Sequence, residues 1–253
     1  MTLSVSTQLA QCDDLKLFEV MLKSVSFADE IIVFNMERTD KEALALFAKY
    51  KARVIEVKPP IIVEEIRTRE VLEAKNNWVL VMDFDELIPP ALKEEILTVI
   101  KDKPAAYTIK RRNFSLGFPL RYGGWGDDYV ARVFHKSIFV DWPTNIHSTP
   151  KIRGEYNKLD NFMEHHKDAN LTQMVEKTNR YSEIEAKLFF EGNLPPVTCF
   201  TLIRKSTMEF IRRYFLKLGV LDGTIGLIQS LYQSYSIFVT YAKLYELQNK
   251  KQK

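Results

Sequence analysis

The segment from Trp78 to Phe84, WVLVMDF, constrains the fold of this chain more than any other stretch. Its apolar run is not broken by alternating polar positions, which is the pattern of a strand buried on both faces of a sheet. Such strands belong to parallel sheets that helices cover on both sides. The acidic group Asp83-Phe84-Asp85-Glu86 begins within this segment, so we expect carboxylate side chains at the carboxyl end of the strand.

The rest of the chain predicts an α/β fold with a mostly helical C-terminal region, because strand-like and helical patterns alternate before the helices dominate. The predicted strands are 2–8, 30–35, 53–57 and 78–84. The predicted helices are 14–25, 43–50 (capped by Thr39 or Asp40), 64–75, 91–101, 171–191, 200–218 and 225–248. Residues 105–150 are aromatic, contain glycine and look strand-like, so they are assigned to the same unit as the sheet.

Composition excludes several classes of protein. With 46% hydrophobic and 27% charged residues, the chain is typical of a globular protein rather than a disordered, collagen-like or disulfide-stapled one. Its net charge of +3 gives no indication of nucleic-acid binding. Cys12 and Cys199 are predicted to be free, buried thiols. No signal peptide or membrane span is recognised, so the protein is expected in the cytoplasm or at the inner face of the cytoplasmic membrane.

Asp83 and Asp85 are the first candidates for chemistry. In open α/β sheets, ligands bind at the carboxyl ends of the strands. Two carboxylates one residue apart can share a divalent cation, and such a cation can bridge the oxygens of a diphosphate. The alternative is a solvated turn in which Glu86 begins a helix, and DxD triplets also occur by chance.

A second candidate site lies in the glycine-rich segment 111–136. Its aromatic side chains, interleaved with glycines, suit a sugar or a nucleobase. Asp127 or Asp128 can act as a general base that takes a proton from an acceptor hydroxyl. The alternative is a hairpin whose turn is capped by an aspartate.

The histidines and the basic C-terminal region leave further alternatives open. His147 can be a third metal ligand, a phosphate contact or a structural residue. On a helix, the rings of His165 and His166 would point about 100° apart, so this pair is interpreted as structural. Between 204 and 217, basic and apolar residues alternate. That pattern fits a helix lying on an anionic bilayer, or a packed helix with a solvated basic face.

The order of these segments resembles the family 2 glycosyltransferases, in particular a lipopolysaccharide-core β-glucosyltransferase branch. The resemblance is strongest in the segments ADEIIV, WVLVMDFDE, GWGDDYVARVF and LDGTIG. It implies a GT-A fold, with a nucleotide-sugar half over about 1–100, an acceptor half over about 101–170 and a helical region over 171–253 packed on them.

The resemblance also implies an activity. It indicates inverting transfer of a hexose from a nucleotide-diphosphate sugar, with a UDP-sugar favoured, to a hydroxyl of a glycan or glycolipid. Cell-surface polysaccharide or lipopolysaccharide synthesis is the expected setting, and Mg²⁺ or Mn²⁺ the expected cofactor. The residues assigned to the nucleotide sugar are Asn35, Asp40, Arg67, Asp83 and Asp85. The metal is assigned to Asp83, Asp85 and His147, the catalytic base to Asp128, and the acceptor to Trp125 and Arg132.

Departures from the family pattern support a rival interpretation. Asn35 stands where the family has an aspartate that contacts the base, and the bulky residues 36–38 replace a small turn. Thr68 replaces the usual asparagine after Arg67. A catalytically weak or inactive GT-A relative that serves as a binding module is therefore the alternative. A nucleotidyltransferase ranks last, because QLAQCDDL contains neither glycine nor a basic residue.

Overall fold

The structure, a computed structural model, describes residues 2–145, 148–168 and 170–250. It divides into two compact units. The first comprises Met1–Arg111 and Tyr129–His165, and the second comprises Arg112–Asp128 and His166–Lys253. The sequence-based division at residue 170 stays a prediction.

The first unit begins with alternating strands and helices, as the sequence predicts. The elements are β1 Leu3–Ala10, α1 Leu15–Ser24, β2 Glu30–Met36, α2 Lys41–Lys49, β3 Arg53–Val57, α3 Glu64–Leu72, β4 Trp78–Met82, β5 Glu86–Leu87 and α4 Pro90–Val99. The later strands are β6 Ala106–Ser115, β7 Phe118–Leu120, β8 Asp128–His135, β9 Phe139–Asp141, β10 Lys151–Ile152 and β11 Tyr156–Asp168.

The main sheet has the strand order β3-β2-β1-β4-β8-β6-β11-β5. β1 runs parallel to both β2 and β4, with Thr7 opposite Val33 on one side and Met82 on the other. β8 pairs antiparallel with β4. Because the chain proceeds from β1 outward to β3 and then returns to place β4 on the other side of β1, the strand order reverses between β1 and β4. This switch point is where open α/β sheets bind ligands.

Both faces of the sheet are buried, which explains the uninterrupted apolar run in β4. Leu80 packs into the core on one face together with Leu3, Val5 and α1, whereas Val79 and Val81 pack into the core on the opposite face. A strand with solvent on one side would need a polar residue at every second position. The predicted doubly buried strand is therefore confirmed.

The second unit is mostly helical. It contains β7, which pairs with the end of β6, and three long helices, α5 Leu171–Glu191, α6 Cys199–Ile211 and α7 Gly223–Lys250. A π-helical turn, Arg212–Leu216, and a 3₁₀ turn, Gly219–Asp222, connect α6 to α7. α7 packs against α5 and α6, and the predicted C-terminal helices are confirmed apart from these turns. The predicted helix 200–218 is α-helical only to Ile211 and π-helical to Leu216, and Leu218, with φ 57°, turns the chain into the 3₁₀ turn.

The mixed sheet with its flanking helices, followed by a helical C-terminal part, confirms the predicted α/β fold class with a mostly helical C-terminal region. His165 and His166 lie on strand β11, so their side chains point to opposite faces of the sheet. One finer prediction is wrong. Cys12 and Cys199 form no disulfide, as predicted, but both are exposed rather than buried. Within the described ranges, no helix is both long and apolar enough to span a bilayer.

Candidate active site

Asp83 lies at the carboxyl end of β4 and is held by three side chains. Its Oδ1 accepts from Nε2 of Gln8 at 2.7 Å and from the guanidinium of Arg67. Its Oδ2 accepts from Nη2 of Arg132 at 2.5 Å. Gln8 lies near the end of β1, so the contact with Asp83 crosses the switch point of the sheet. The predicted residues Arg67, Asp83 and Arg132 are therefore in one network.

Further acids complete this network. Arg67 donates to Glu70 at 2.9 Å, and Nη2 of Arg132 also donates to Glu86 at 2.7 Å. The second oxygen of Glu86 accepts from the backbone N–H of Asp83 at 3.0 Å, which fixes the turn after β4. Arg111 is 3.4 Å from Glu86. A buried ion-pair network of this kind is tolerated only when each charge has a close partner.

The network perturbs the ionisation of its members. Burial alone would raise the pKa of the Asp83 carboxyl, but the charges of Arg132 and Arg67 hold it well below its ordinary value. Burial raises the pKa of Glu70, because its single arginine contact does not offset the loss of water. Asp83 is therefore a permanent carboxylate at neutral pH, and its side chain remains 23% exposed.

Asp85, the second aspartate of the DxD group, has a different environment. It is buried, and its Oδ1 lies 3.6 Å from Nε2 of His165. A carboxylate oxygen beside an imidazole nitrogen is a donor pair that suits a divalent cation, whereas both oxygens of Asp83 face guanidinium groups that repel one. The described ranges contain no cluster of three or more candidate ligands. His147, the predicted third ligand, lies outside the described residues.

Asn35 and Asp40 meet around Arg38, which the sequence marked as a bulky departure. Asn35 Nδ2 donates to the carbonyl oxygen of Arg38 at 2.9 Å and to both oxygens of Glu56 at 3.0 Å. Asp40 caps α2 through Ala43 N–H and accepts from Nε of Arg38 at 2.6 Å. The two residues predicted to contact the nucleotide thus organise the turn after β2.

Arg38 itself reaches to the end of β1. Its Nη1 donates to the carbonyl oxygens of Ala10 at 3.1 Å and Asp13 at 2.7 Å. The side chain is 10% exposed, so it fills the space between the β1 and β2 carboxyl ends. Asn35 and Arg38, which both differ from the family pattern, therefore form hydrogen bonds within the protein.

In the second unit, Asp128 and Trp125 share one partner. Nδ2 of Asn113 donates to the Trp125 carbonyl oxygen at 2.9 Å and to Oδ2 of Asp128 at 3.0 Å. The guanidinium of Arg213 lies over the Trp125 ring, 4.5 Å from its centroid. Trp125, the predicted acceptor contact, is only 8% exposed, because Arg213 covers its ring. Asn113 orients the carboxylate of Asp128, the predicted base.

Sequence reasoning missed several residues that build these clusters. They are Gln8, Glu56, Glu70, Asn113 and His165. Gln8 is a polar residue in an otherwise apolar β1 segment that ends at the switch point, which is a usable signal. Glu70 stands three residues after Arg67 on α3, a helical i,i+3 spacing that the sequence shows. The other three residues depend on contacts between distant parts of the chain, which no local pattern reveals.

No protein-family profile matches this chain. It is similar to curated Rickettsia proteins that carry the name uncharacterized glycosyltransferase. The Rickettsia bellii protein is 27% identical over 241 residues, which cover 88% of this chain and 79% of the relative. The Rickettsia typhi protein is 26% identical over 246 residues, which cover 88% of this chain and 80% of the relative.

Solved structures with distant similarity include S. aureus TarS 1–349, with a TM-score of 0.45 and 12% identity over 100% of this chain and 92% of that one. Another is glucosyl-3-phosphoglycerate synthase from Mycobacterium tuberculosis in complex with Mn²⁺, UDP and phosphoglyceric acid. Its TM-score is 0.34, with 20% identity over 44% of this chain and 43% of that one.

Proposed function

We propose that this chain is a glycosyltransferase that uses a nucleotide-diphosphate sugar. The observation that carries the proposal is the clamp of Asp83 between Arg67 and Arg132 at the carboxyl end of β4, beside the switch point of the sheet. The name shared by the Rickettsia relatives supports the same activity. We favour a UDP-sugar as donor and a family 2, inverting mechanism.

Asp83 is suited to bind a ribose. Its carboxylate is oriented by the arginines and charged at neutral pH, and Oδ2 accepts only one of the hydrogen bonds described above. A ribose hydroxyl can donate to the remaining lone pair. Arg67 keeps positive charge near the diphosphate, which arginine recognises with well-oriented N–H groups. Arg132 stays a predicted acceptor contact, and its Nη2 donates to Asp83 and Glu86.

Asp85 would hold the divalent cation, Mg²⁺ or Mn²⁺, with His165 as the nearest nitrogen donor. When bound, such an ion neutralises charge on a leaving diphosphate. Asp83 acts beside it as an orienting group because its oxygens already accept from arginines. His147 stays a predicted ligand.

Asp128 is the proposed base, which removes the proton from an acceptor hydroxyl as this attacks the anomeric carbon. Asn113 supports that role because its amide fixes Oδ2 of Asp128 at 3.0 Å. A single attack from the face opposite the leaving diphosphate inverts the sugar. The acceptor is proposed to be a glycan or glycolipid of the cell surface, including lipopolysaccharide, reached at the inner face of the cytoplasmic membrane.

The first test is a thermal-shift panel with UDP, GDP, dTDP and CMP, each measured with Mn²⁺ and with a chelator. A ligand at about 100 times its Kd adds about 2.7 kcal/mol to the free energy of unfolding. We expect a metal-dependent shift with UDP. An Asp85→Asn variant should retain the fold but lose the metal-dependent part, whereas exposed Glu94→Gln should behave like the parent. Absence of any shift would contradict the proposal.

A GT-A binding module without transfer activity is the second candidate. The position of Arg38 favours it, because this side chain fills the space between β1 and β2 that a base would otherwise enter. Release of UDP from UDP-glucose in the presence of acceptor extracts decides between the two. Nucleotide binding without sugar transfer to any such extract would favour the module.

A further inference from the structure

The connection between α6 and α7 exposes bulky apolar side chains. Five of the seven residues from Phe215 to Leu221 are exposed and apolar, and Leu216 is 73% exposed. We call residues 215–221 the tip. The tip contains the end of the π-helical turn and the 3₁₀ turn, and Leu218 adopts a left-handed conformation that places its side chain at this sharp bend.

The apolar surface extends from the tip along α6. Phe200, Ile203 and Met208 are exposed, and their spacing places them within an arc of about 140° around the helix. α6 buries no residue of its own. A helix of a globular protein normally turns its apolar stripe toward the core. Although α6 packs against α7, these three apolar side chains remain exposed, and together with the tip they form what we call the docking face.

The charge around the docking face is basic. Between 199 and 221 the chain carries five basic residues and a single acid, Glu209. Glu209 is already paired with Arg212 and Arg213, both at 2.6 Å. Arg204 is exposed among the apolar residues, with its guanidinium 5.9 Å from the Phe200 ring centroid. Long basic side chains can reach lipid headgroups while neighbouring apolar groups enter the acyl region.

We propose that the docking face binds an anionic lipid bilayer, with the tip inserted below the headgroups. Anionic lipids complement the basic residues, each of which contributes when it lies near the surface. A second copy of the chain is a poorer occupant. A symmetric dimer would bring the same positive charges of two α6 helices close together, and like charges in an interface oppose association.

The tip is also joined to the loop that holds Trp125. The N–H of Gly123 donates to the carbonyl oxygen of Lys217 at 2.8 Å, and Nη1 of Arg213 donates to the carbonyl oxygen of Gly123 at 3.0 Å. Bilayer binding would therefore present this loop at the membrane surface. A loop held at the membrane could receive a lipid-linked acceptor, and this consequence rests on the proposed function. The proposal that the docking face binds a bilayer does not depend on the proposed function.

The test measures sedimentation of the full chain with vesicles of phosphatidylglycerol and phosphatidylcholine, compared with phosphatidylcholine alone. We expect binding only with the anionic lipid, and weaker binding at high salt. Phe215→Ser/Leu216→Ser should weaken binding at least about tenfold, since both side chains lose apolar contact. The matched control is Ile61→Ser/Val140→Ser, which replaces exposed apolar residues of the first unit and should bind like the parent.

Arg204→Gln/Lys205→Gln tests the charges, and we expect about fivefold weaker binding for each residue replaced near the surface. Circular dichroism of every variant checks that the fold is kept. Equal binding by the parent and the tip variant would overturn the proposal. The proposal would also be overturned if the parent does not bind vesicles but forms a dimer and the tip variant does not form that dimer. Vesicle binding uses no nucleotide, so its failure is distinguishable from failure of the nucleotide-binding test.

Discussion

Nη2 of Arg132 donates both to Oδ2 of Asp83 at 2.5 Å and to Oε1 of Glu86 at 2.7 Å. One guanidinium nitrogen on β8 therefore joins the two acids that flank the turn after β4. Because all three groups are largely withdrawn from water, this contact links the electrostatics of the candidate site to the stability of the fold.

The depressed pKa of Asp83 predicts a pH dependence of stability. A carboxyl whose pKa is lowered in the folded state stabilises the fold fully above its unfolded pKa of about 3.9 and loses this contribution as pH falls toward the folded value. Urea unfolding of the parent should therefore show a steeper decline in acid than unfolding of Asp83→Asn. Glu70, with its raised pKa, contributes with the opposite sign in both proteins. Parallel curves would contradict the assignment.

Asn35→Asp introduces the aspartate that the resemblance to family 2 glycosyltransferases leads one to expect at this position, and we expect it to destabilise this chain. The amide of Asn35 donates to both oxygens of Glu56, so an aspartate would replace donors by a second negative charge. We expect a loss of about 1–3 kcal/mol at neutral pH, which diminishes in acid. Glu56→Gln in the same protein should recover most of it. The measurement is a double-mutant cycle by urea unfolding, and additive losses would show that the pair is not coupled.

Asp128→Asn should reduce turnover by about 10²–10⁴-fold, the usual contribution of a general base, because an amide cannot take the hydroxyl proton. UDP binding by thermal shift should be unchanged. The neighbouring Asp127→Asn provides the matched comparison, measured as sugar transfer or as UDP release from the donor. A large loss in Asp127→Asn with a full rate in Asp128→Asn would reverse the assignment of the base.

Asp222 is predicted to hold the glycine-rich loop in place. Its carboxylate accepts from the backbone N–H groups of Arg121 and Tyr122 at 2.9–3.2 Å. Asp222→Ala should speed hydrogen exchange at these two amides and cost about 1–2 kcal/mol of stability, whereas Asp222→Asn keeps one accepting oxygen and should lie between. Unchanged exchange in Asp222→Ala would show that the loop does not depend on this contact.

The sequence alone determined the order and type of β1 to β4, of α1 to α4 and of the C-terminal helices, because their signals are local. The apolar run of β4, the cap at Asp40 and the helical spacing in α5 and α7 each depend on neighbouring residues. The same local pattern placed acids at the end of β4, which is why Asp83 and Asp85 stand out without any structure. The segment before α5 contains no comparably strong hydrophobic periodicity, so the sequence did not predict the long strand β11.

Only the tertiary structure decided what those acids contact. Asp83 forms ion pairs with two arginines, one on α3 and one on β8. Asp85 lies beside His165 on β11, and Asn35 donates a hydrogen bond to Glu56 on β3. These partners are separated by 16 to 80 residues in the chain, and the packing of distant elements brings them together. Sequence patterns record the burial and period of each element, whereas the chemical environment of a side chain depends on which elements become neighbours.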